Sequence, residues 1–306
     1  MKRINAVFLT FSLAGCGGGL TSAGSSAAVI PSSQVRINTS EPSASALTAL
    51  PLDDNRYTSA GPKKSWVYLC ANSIAGGGPP VTYGPWIDRS AGTWNELEKV
   101  AVEGSVAWRS QFANSVSGAT RMLSGNGLPS HKTGTFPISS SDPAYQYDQN
   151  PNAISAQSLS YRIPAKPAIA AEPSCLNMGP IGVMTTGAVL FNALDALGHD
   201  AAAHEVLDSC WGHPQMSGLY HYHTFSSCMN DSSTGHSRLL GYALDGFGIY
   251  GPRGENGTVT TDATLDACHG HTHVIEWNGK RLSLYHYHMT YEYPYSLGCY
   301  KGTPTV

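Results

Sequence analysis

A Tyr-His-Tyr-His run stands twice in this chain, at Tyr220–His223 and Tyr285–His288. Strict alternation is the habit of a β-strand, on which residues i and i+2 point to the same face roughly 7 Å apart. Both histidines of a run then share one face and both tyrosines the other. The tyrosines can pack on a core with their hydroxyls hydrogen-bonded, while the histidines face whatever lies on the opposite side.

Each run is the last of several signatures that recur in the same order. The first set reads "ALDALG" (Ala193–Gly198), "LDSCWGH" (Leu207–His213), Tyr220–His223 and Cys228. The second reads "ALDGFG" (Ala243–Gly248), "LDACHGH" (Leu265–His271), Tyr285–His288 and Cys299. Only the intervening lengths differ. This predicts an internal tandem repeat of one supersecondary unit, about 193–228 and 243–299, with a pseudo-two-fold arrangement. Between and before these signatures, short runs of aromatic and β-branched residues (Trp66–Leu69, Val81–Ile87, Leu159–Ile163) are broken by Gly, Pro and Ser clusters. The expected fold is mainly β: one large, disulfide-stabilised domain with few short helices. Thr93–Trp108 reads as a short helix capped by Thr93 with Glu96 three residues on, or as a strand through "VAVEGSVAW". Ala201–Leu207 has the length for two helical turns.

Eleven of the twelve histidines fall between His199 and His288. In each unit a Cys-x-Gly-His turn, with Gly212 or Gly270 supplying backbone freedom, brings one more imidazole towards the strand pair. The sequence therefore nominates His213, His221 and His223 as one metal-ligand set and His271, His286 and His288 as another, with His273 at a further alternate position. Three imidazoles with an open position suit zinc or copper. Metal-bound histidines tend to give their other nitrogen to a carboxylate or carbonyl, and Asp208, Asp266, Asp195 and Asp245 stand near enough in sequence to serve. Asp245 also qualifies as a general base, against a structural role in the Asp245–Gly246 turn. His131, in a Gly/Pro loop, is the other catalytic candidate. His199, His204 and His236 have no counterpart in the repeat and read as surface or core residues. The rival to metal is a hydrogen-bonded His/Tyr network in a metal-free ligand-binding or adhesion module.

The chain starts like an exported protein. Lys2 and Arg3 precede an apolar stretch, Ile4–Leu13, which ends in "LAGC" at Leu13–Cys16. That is a secretory signal (1–15) of the kind cleaved before a cysteine that then carries lipid, so Cys16 is the expected lipidation site. The apolar stretch is too short to span a bilayer. Gly17 after Cys16 favours the outer membrane in a Gram-negative host, and the expected location is the bacterial cell envelope. Residues 16–61, rich in Gly, Ser and Ala, read as a flexible tether, and 62–306 as the domain. Without Lys2 and Arg3 the chain has 16 basic and 21 acidic residues, a net charge of −5, and no basic cluster longer than Lys63–Lys64, which excludes an electrostatic basis for nucleic-acid binding. Six cysteines remain beside Cys16. The repeat pairs Cys210 with Cys228 and Cys268 with Cys299, leaving Cys70 with Cys175, as an oxidising compartment allows.

These stretches resemble the YHYH family, which takes its name from the repeated run. The resemblance is carried by "PNAISAQSLSYRIP" (Pro151–Pro164), "LDSCWGHP", "GLYHYH", "GYALDGFGIYGP" (Gly241–Pro252), "LDACHGH", "LYHYH" and "EYPYSLGCYKG" (Glu292–Gly302), spanning about Ser65 to Gly302. It implies export and a common domain, and attaches no reaction. One internal departure stands out: His269 fills the slot that Trp211 holds in the first unit, so the two halves are not expected to be equivalent.

Overall fold

The tyrosines of both runs are almost wholly buried, at 0% exposure for Tyr220, Tyr222 and Tyr287 and 4% for Tyr285, so the apolar-side half of each alternation has found a core. The computed structural model describes residues 42–71, 74 and 83–305. The expected signal peptide, Cys16 and most of the expected tether lie outside the described residues.

The runs belong to an eight-stranded sheet. Its strands are β1 (Pro180–Met184), β2 (Val189–Phe191), β3 (Gly212–Pro214), β4 (Tyr220–Tyr222), β5 (Leu239–Ala243), β6 (Gly248–Tyr250), β7 (Gly270–Trp277) and β8 (Lys280–His288). Their order is β3-β4-β2-β1-β5-β6-β8-β7. Outward from the central antiparallel pair β1/β5, each side has an antiparallel neighbour, then a parallel one, then an antiparallel edge strand. The central strands are short and, beyond the half-buried Pro180 and Leu239 at their starts, continuously buried, as expected of strands covered on both faces.

Cross-strand partners share a face of a sheet, which makes the side of each ring traceable. His221 pairs with Val189, Val189 with Val183, and Val183 with Tyr242. Tyr242 pairs with Gly248, Tyr250 lies two residues on, and Tyr250 pairs with His288. Both histidine pairs therefore lie on the same face of one sheet, near opposite edges, and the Tyr220–Tyr222 and Tyr285–Tyr287 pairs lie on the reverse.

The turns that lead into β3 and β7 are built alike. Asp208 N–H donates to Gly212 O and Asp266 N–H to Gly270 O, both at 2.9 Å. Oδ1 of Asp208 accepts from the N–H of Cys210 and Gly212, and Oδ1 of Asp266 from those of Cys268 and Gly270. Trp211 (φ 60°) and His269 (φ 71°) take the left-handed conformation between them. The two carboxylates also accept from the Tyr220 and Tyr285 hydroxyls, so each turn is fixed to its tyrosine strand. Disulfides Cys210–Cys228, Cys268–Cys299 and Cys70–Cys175 form as the sequence pairs them.

Elsewhere the chain is mainly β, with a three-stranded antiparallel sheet (Phe112–Ser117, Thr120–Gly125, Leu159–Pro164) and short strand pairs. Thr93–Trp94 is a strand, and residues 95–108 form isolated bridges at Val102 and Val106 rather than a helix. Ala201–His204 makes a single helical turn, because Leu207 is already extended beside Val102, accepting its N–H at 2.9 Å. The described end of the expected tether, from residue 42, is not loose: Leu47 and Leu50 are buried and Leu50–Pro51 pairs with Thr93–Trp94. "ALTALPL" (Ala46–Leu52) offers enough apolar surface to hold it there. Among the described residues no helix is long and apolar enough to cross a membrane.

Gly212 is required by the tyrosine that crosses it. A Cβ there would stand 2.3 Å from Cζ of Tyr220. We expect Gly212→Ala to lower stability by about 1–3 kcal/mol, the usual cost of overpacking. Gly235→Ala, where nothing lies within 4 Å, should stay within about 0.5 kcal/mol of the parent in the same urea denaturation series.

Candidate metal centres

On the histidine face the rings gather into two separate groups. In the first, β3 and β4 set His213 opposite His221, and His223 follows at the end of β4. Glu205, the residue after the helical turn Ala201–His204, completes it. Nε2 of His221 and His223 are 3.1 Å apart. Glu205 Oε2 lies 3.1 Å from His213 Nε2 and 3.0 Å from His223 Nε2. In the second, β7 and β8 set His271 opposite His286, with His273 and His288 beside them. His236, from the segment before β5, joins the same group. Nε2 of His288 is 3.1 Å from that of His271 and 3.2 Å from that of His286, and Nε2 of His236 is 3.3 Å from that of His286.

What the rings can do is set by their other nitrogen. Nδ1 of His221 bonds Leu219 O, and Nδ1 of His223 bonds Asn192 O. In the second group Nδ1 of His286 bonds Leu284 O, His288 bonds Gly251 O, His236 bonds Ser237 O and His273 bonds Val274 O. A carbonyl oxygen only accepts, so Nδ1 carries the proton in each neutral ring and Nε2 a lone pair. Two lone pairs facing each other at 3.1–3.3 Å cannot hydrogen-bond to one another, so in their neutral forms these pairs are open to a hydrogen-bond donor or a cation. In the first group neither ring nitrogen of His213, nor Glu205 Oε2, makes an aligned hydrogen bond despite burial, and in the second His273 Nε2 is likewise unpaired. Buried polar atoms in that condition are uncommon and costly.

A proton is a poor candidate for that cation in most of these rings. Burial, with neighbouring imidazoles, holds His221 and His288 well below the ordinary 6.5, and lowers His271 to about 4 and His286 to about 2. His223 differs: burial lowers it, but the Glu205 carboxylate, 3.0 Å away, more than offsets this and the net shift is upward. Burial pushes Glu205 up, whereas His213 and His223 carry it well below its ordinary value. The first group thus pairs three imidazoles with a carboxylate, and the second is all imidazole. Each residue of a group offers a ligand atom within 4.8 Å of the others, which is close enough to hold a metal ion.

Residues 160–258 match the YHYH protein family. The YHYH match takes in β1 to β6, the whole first group and His236, and stops short of the second Tyr-His-Tyr-His run. It is narrower than the stretch from Ser65 to Gly302 that carries the resemblance in sequence. Neither a curated protein nor a solved structure matches the chain.

The structure brings together all seven histidines nominated as ligands, and adds Glu205 and His236. His236, expected at the surface or in the core, is drawn in because the segment before β5 carries it beside Tyr250 and β8. Neither catalytic candidate reaches a histidine group. His131 accepts from the Tyr222 hydroxyl through Nε2 and donates to Lys132 O through Nδ1, on the tyrosine face. Asp245, whose buried carboxyl is raised, accepts from the Tyr287 hydroxyl and from the N–H of Phe247 and Gly302. Asp208 and Asp266 serve turns and tyrosines, and Asp195 bonds His199, so backbone carbonyls rather than carboxylates orient the ligand rings. His204 Nε2 lies 2.9 Å from Asp54 Oδ1 and His269 Nδ1 3.0 Å from Asp262 Oδ1, outside both groups. A third cluster, His131 with Cys210 and Cys228, has its sulfurs in a disulfide and offers no thiolate.

A depressed histidine pKa means that the unfolded chain takes up protons first, so the contribution of such a ring is complete above 6.5 and is lost as pH falls towards the folded value. In metal-free protein we expect 13C-histidine NMR to show His271 titrating near 4 and His286 remaining neutral below that, each signal assigned by its own Gln variant. Midpoints near 6.5 for both would contradict the packing described.

Proposed function

We propose that this is an exported, lipid-anchored protein of the bacterial cell envelope that binds transition-metal ions, copper or zinc, at two non-equivalent centres. The first would be held by His213, His221, His223 and Glu205, the second by His271, His286 and His288 with His236 and His273. The observation that carries the reading is the orientation of the rings: Nδ1 of His221, His223, His236, His273, His286 and His288 faces a backbone carbonyl, which leaves Nε2 to converge on the neighbouring ligand atoms. Imidazole suits both copper and zinc, and a carbonyl acceptor on the far nitrogen is the usual support for a ligating ring. The anchor is supported by Lys2–Arg3, the apolar Ile4–Leu13 and Leu-Ala-Gly-Cys at Leu13–Cys16, and the oxidising compartment by three disulfides. We read the two halves of the sheet as copies of one unit, on the recurring signatures and the like-built turns at Asp208 and Asp266.

The test uses the whole exported chain with Cys16→Ser to prevent lipidation and no polyhistidine tag. Elemental analysis after incubation with Zn(II) or Cu(II) and desalting should give about two equivalents, with a raised melting temperature. His221→Ala with His223→Ala should remove about one equivalent, and His286→Ala with His288→Ala the other, with far-UV circular dichroism confirming that the variants fold. A folded parent that holds no metal and shows no melting shift would favour a metal-free surface module instead.

A further inference from the structure

The first centre lies at the wall of a cavity of about 570 Å³, which is lined by all four of its ligand residues. That is within the size range of small-molecule sites. Phe191 lies against the centre, stacked on His221 with ring centroids 3.9 Å apart, and Leu194 and Pro214 continue the apolar wall. At the mouth stand Met216 (90% exposed), Met178 (42%) and Leu197 (39%). Eight large apolar residues are exposed among the described residues, and three of them sit at this one opening. Singly scattered apolar residues need no explanation, but a cluster around a cavity does.

The polar groups of the lining narrow the ligand class. Its charged side chains are Asp148, Asp195 and Glu205, and no Lys or Arg is among them. Away from the candidate metal and its imidazoles, an anion such as phosphate or sulfate would meet only carboxylates among the charged side chains. Beyond Asp148, the Asn152 side chain and Gln215 Oε1, little is left to grip a polyol: Asp195 accepts from His199 and the N–H of Leu197, Asn150 bonds Pro214 O and the N–H of Asn152, and Gln215 Nε2 bonds Ser217. What remains is an apolar slot with a candidate metal at its wall.

We propose that this cavity binds a neutral or cationic small molecule with an aromatic or aliphatic body and one nitrogen or oxygen donor, the donor joining the metal and the body lying against Phe191, Leu194 and the methionine rim. This rests on the metal reading of the first centre.

The probes are imidazole and 4-phenylimidazole, which present the same donor with and without an apolar body. Each is titrated into the Co(II)-loaded Cys16→Ser chain and followed by the d–d absorption bands, with metal content measured on the same samples. We expect 4-phenylimidazole to bind at least about tenfold more tightly than imidazole, from burial of the ring. Ala196→Trp and Leu197→Lys, both at exposed lining positions away from the histidines, should each reduce that preference while leaving metal content unchanged. Equal affinities on fully loaded protein would overturn the ligand proposal and leave the metal reading standing. So would a preference that survives both variants, since the ligand would then lie elsewhere. Protein that takes up neither cobalt nor, in the preceding test, zinc or copper would overturn both.

Discussion

The hydrogen bond from imidazole Nδ1 to a backbone carbonyl governs everything on the histidine face. A histidine can place either nitrogen forward, and two rings packed together will normally share a proton. Here Leu219, Asn192, Leu284 and Gly251 supply carbonyls that hold the proton to the rear. Leu219 and Leu284 stand two residues before their histidines, and the other two carbonyls come from the segments that follow β2 and β6. The parallel pairings β2/β4 and β6/β8 are what bring Asn192 and Gly251 into reach, so the chemistry of the rings is inherited from the strand order.

The reverse face explains why this arrangement is stiff. Tyr220 and Tyr285 bond the aspartates that form the turns, while Tyr222 and Tyr287 bond His131 and Asp245. Every tyrosine of the two runs is thus both a core residue and a fastening. A ligand ring on one side is located by a phenol on the other, one residue away along the strand. Positioning of this kind holds a ligand set more closely than a loop would.

Much of this was legible in sequence, because period-two alternation, duplicated signatures and even cysteine numbers each have a direct geometric meaning. Alternation separated His221 and His223 from Tyr220 and Tyr222, and the signatures paired the cysteines. What could not be read were partners with no periodic relation to the runs. Glu205 and His236 arrive from segments that differ between the halves, so no counterpart marks them. Asp245 and His131 stand apart from both histidine groups for a related reason: they are close to the histidines along the chain or through a loop, yet the sheet stands between them. Proximity in sequence says nothing about which face a residue serves. The Thr93–Trp108 stretch, which carried both helical and extended signals, was settled by bridges to Asp208 and Thr133, which are tertiary contacts.

The cluster of His131, Cys210 and Cys228 has a bearing on maturation. With its sulfurs joined it is inert towards metal, but the reduced chain would present two thiols beside an imidazole. Thiolates are strong ligands for zinc and for cuprous copper, so an immature polypeptide meeting metal too early would be captured on the wrong side of the sheet. Oxidation abolishes this decoy and at the same stroke fixes the turn that carries His213. On the proposed metal reading, sulfur chemistry would come first and metallation second.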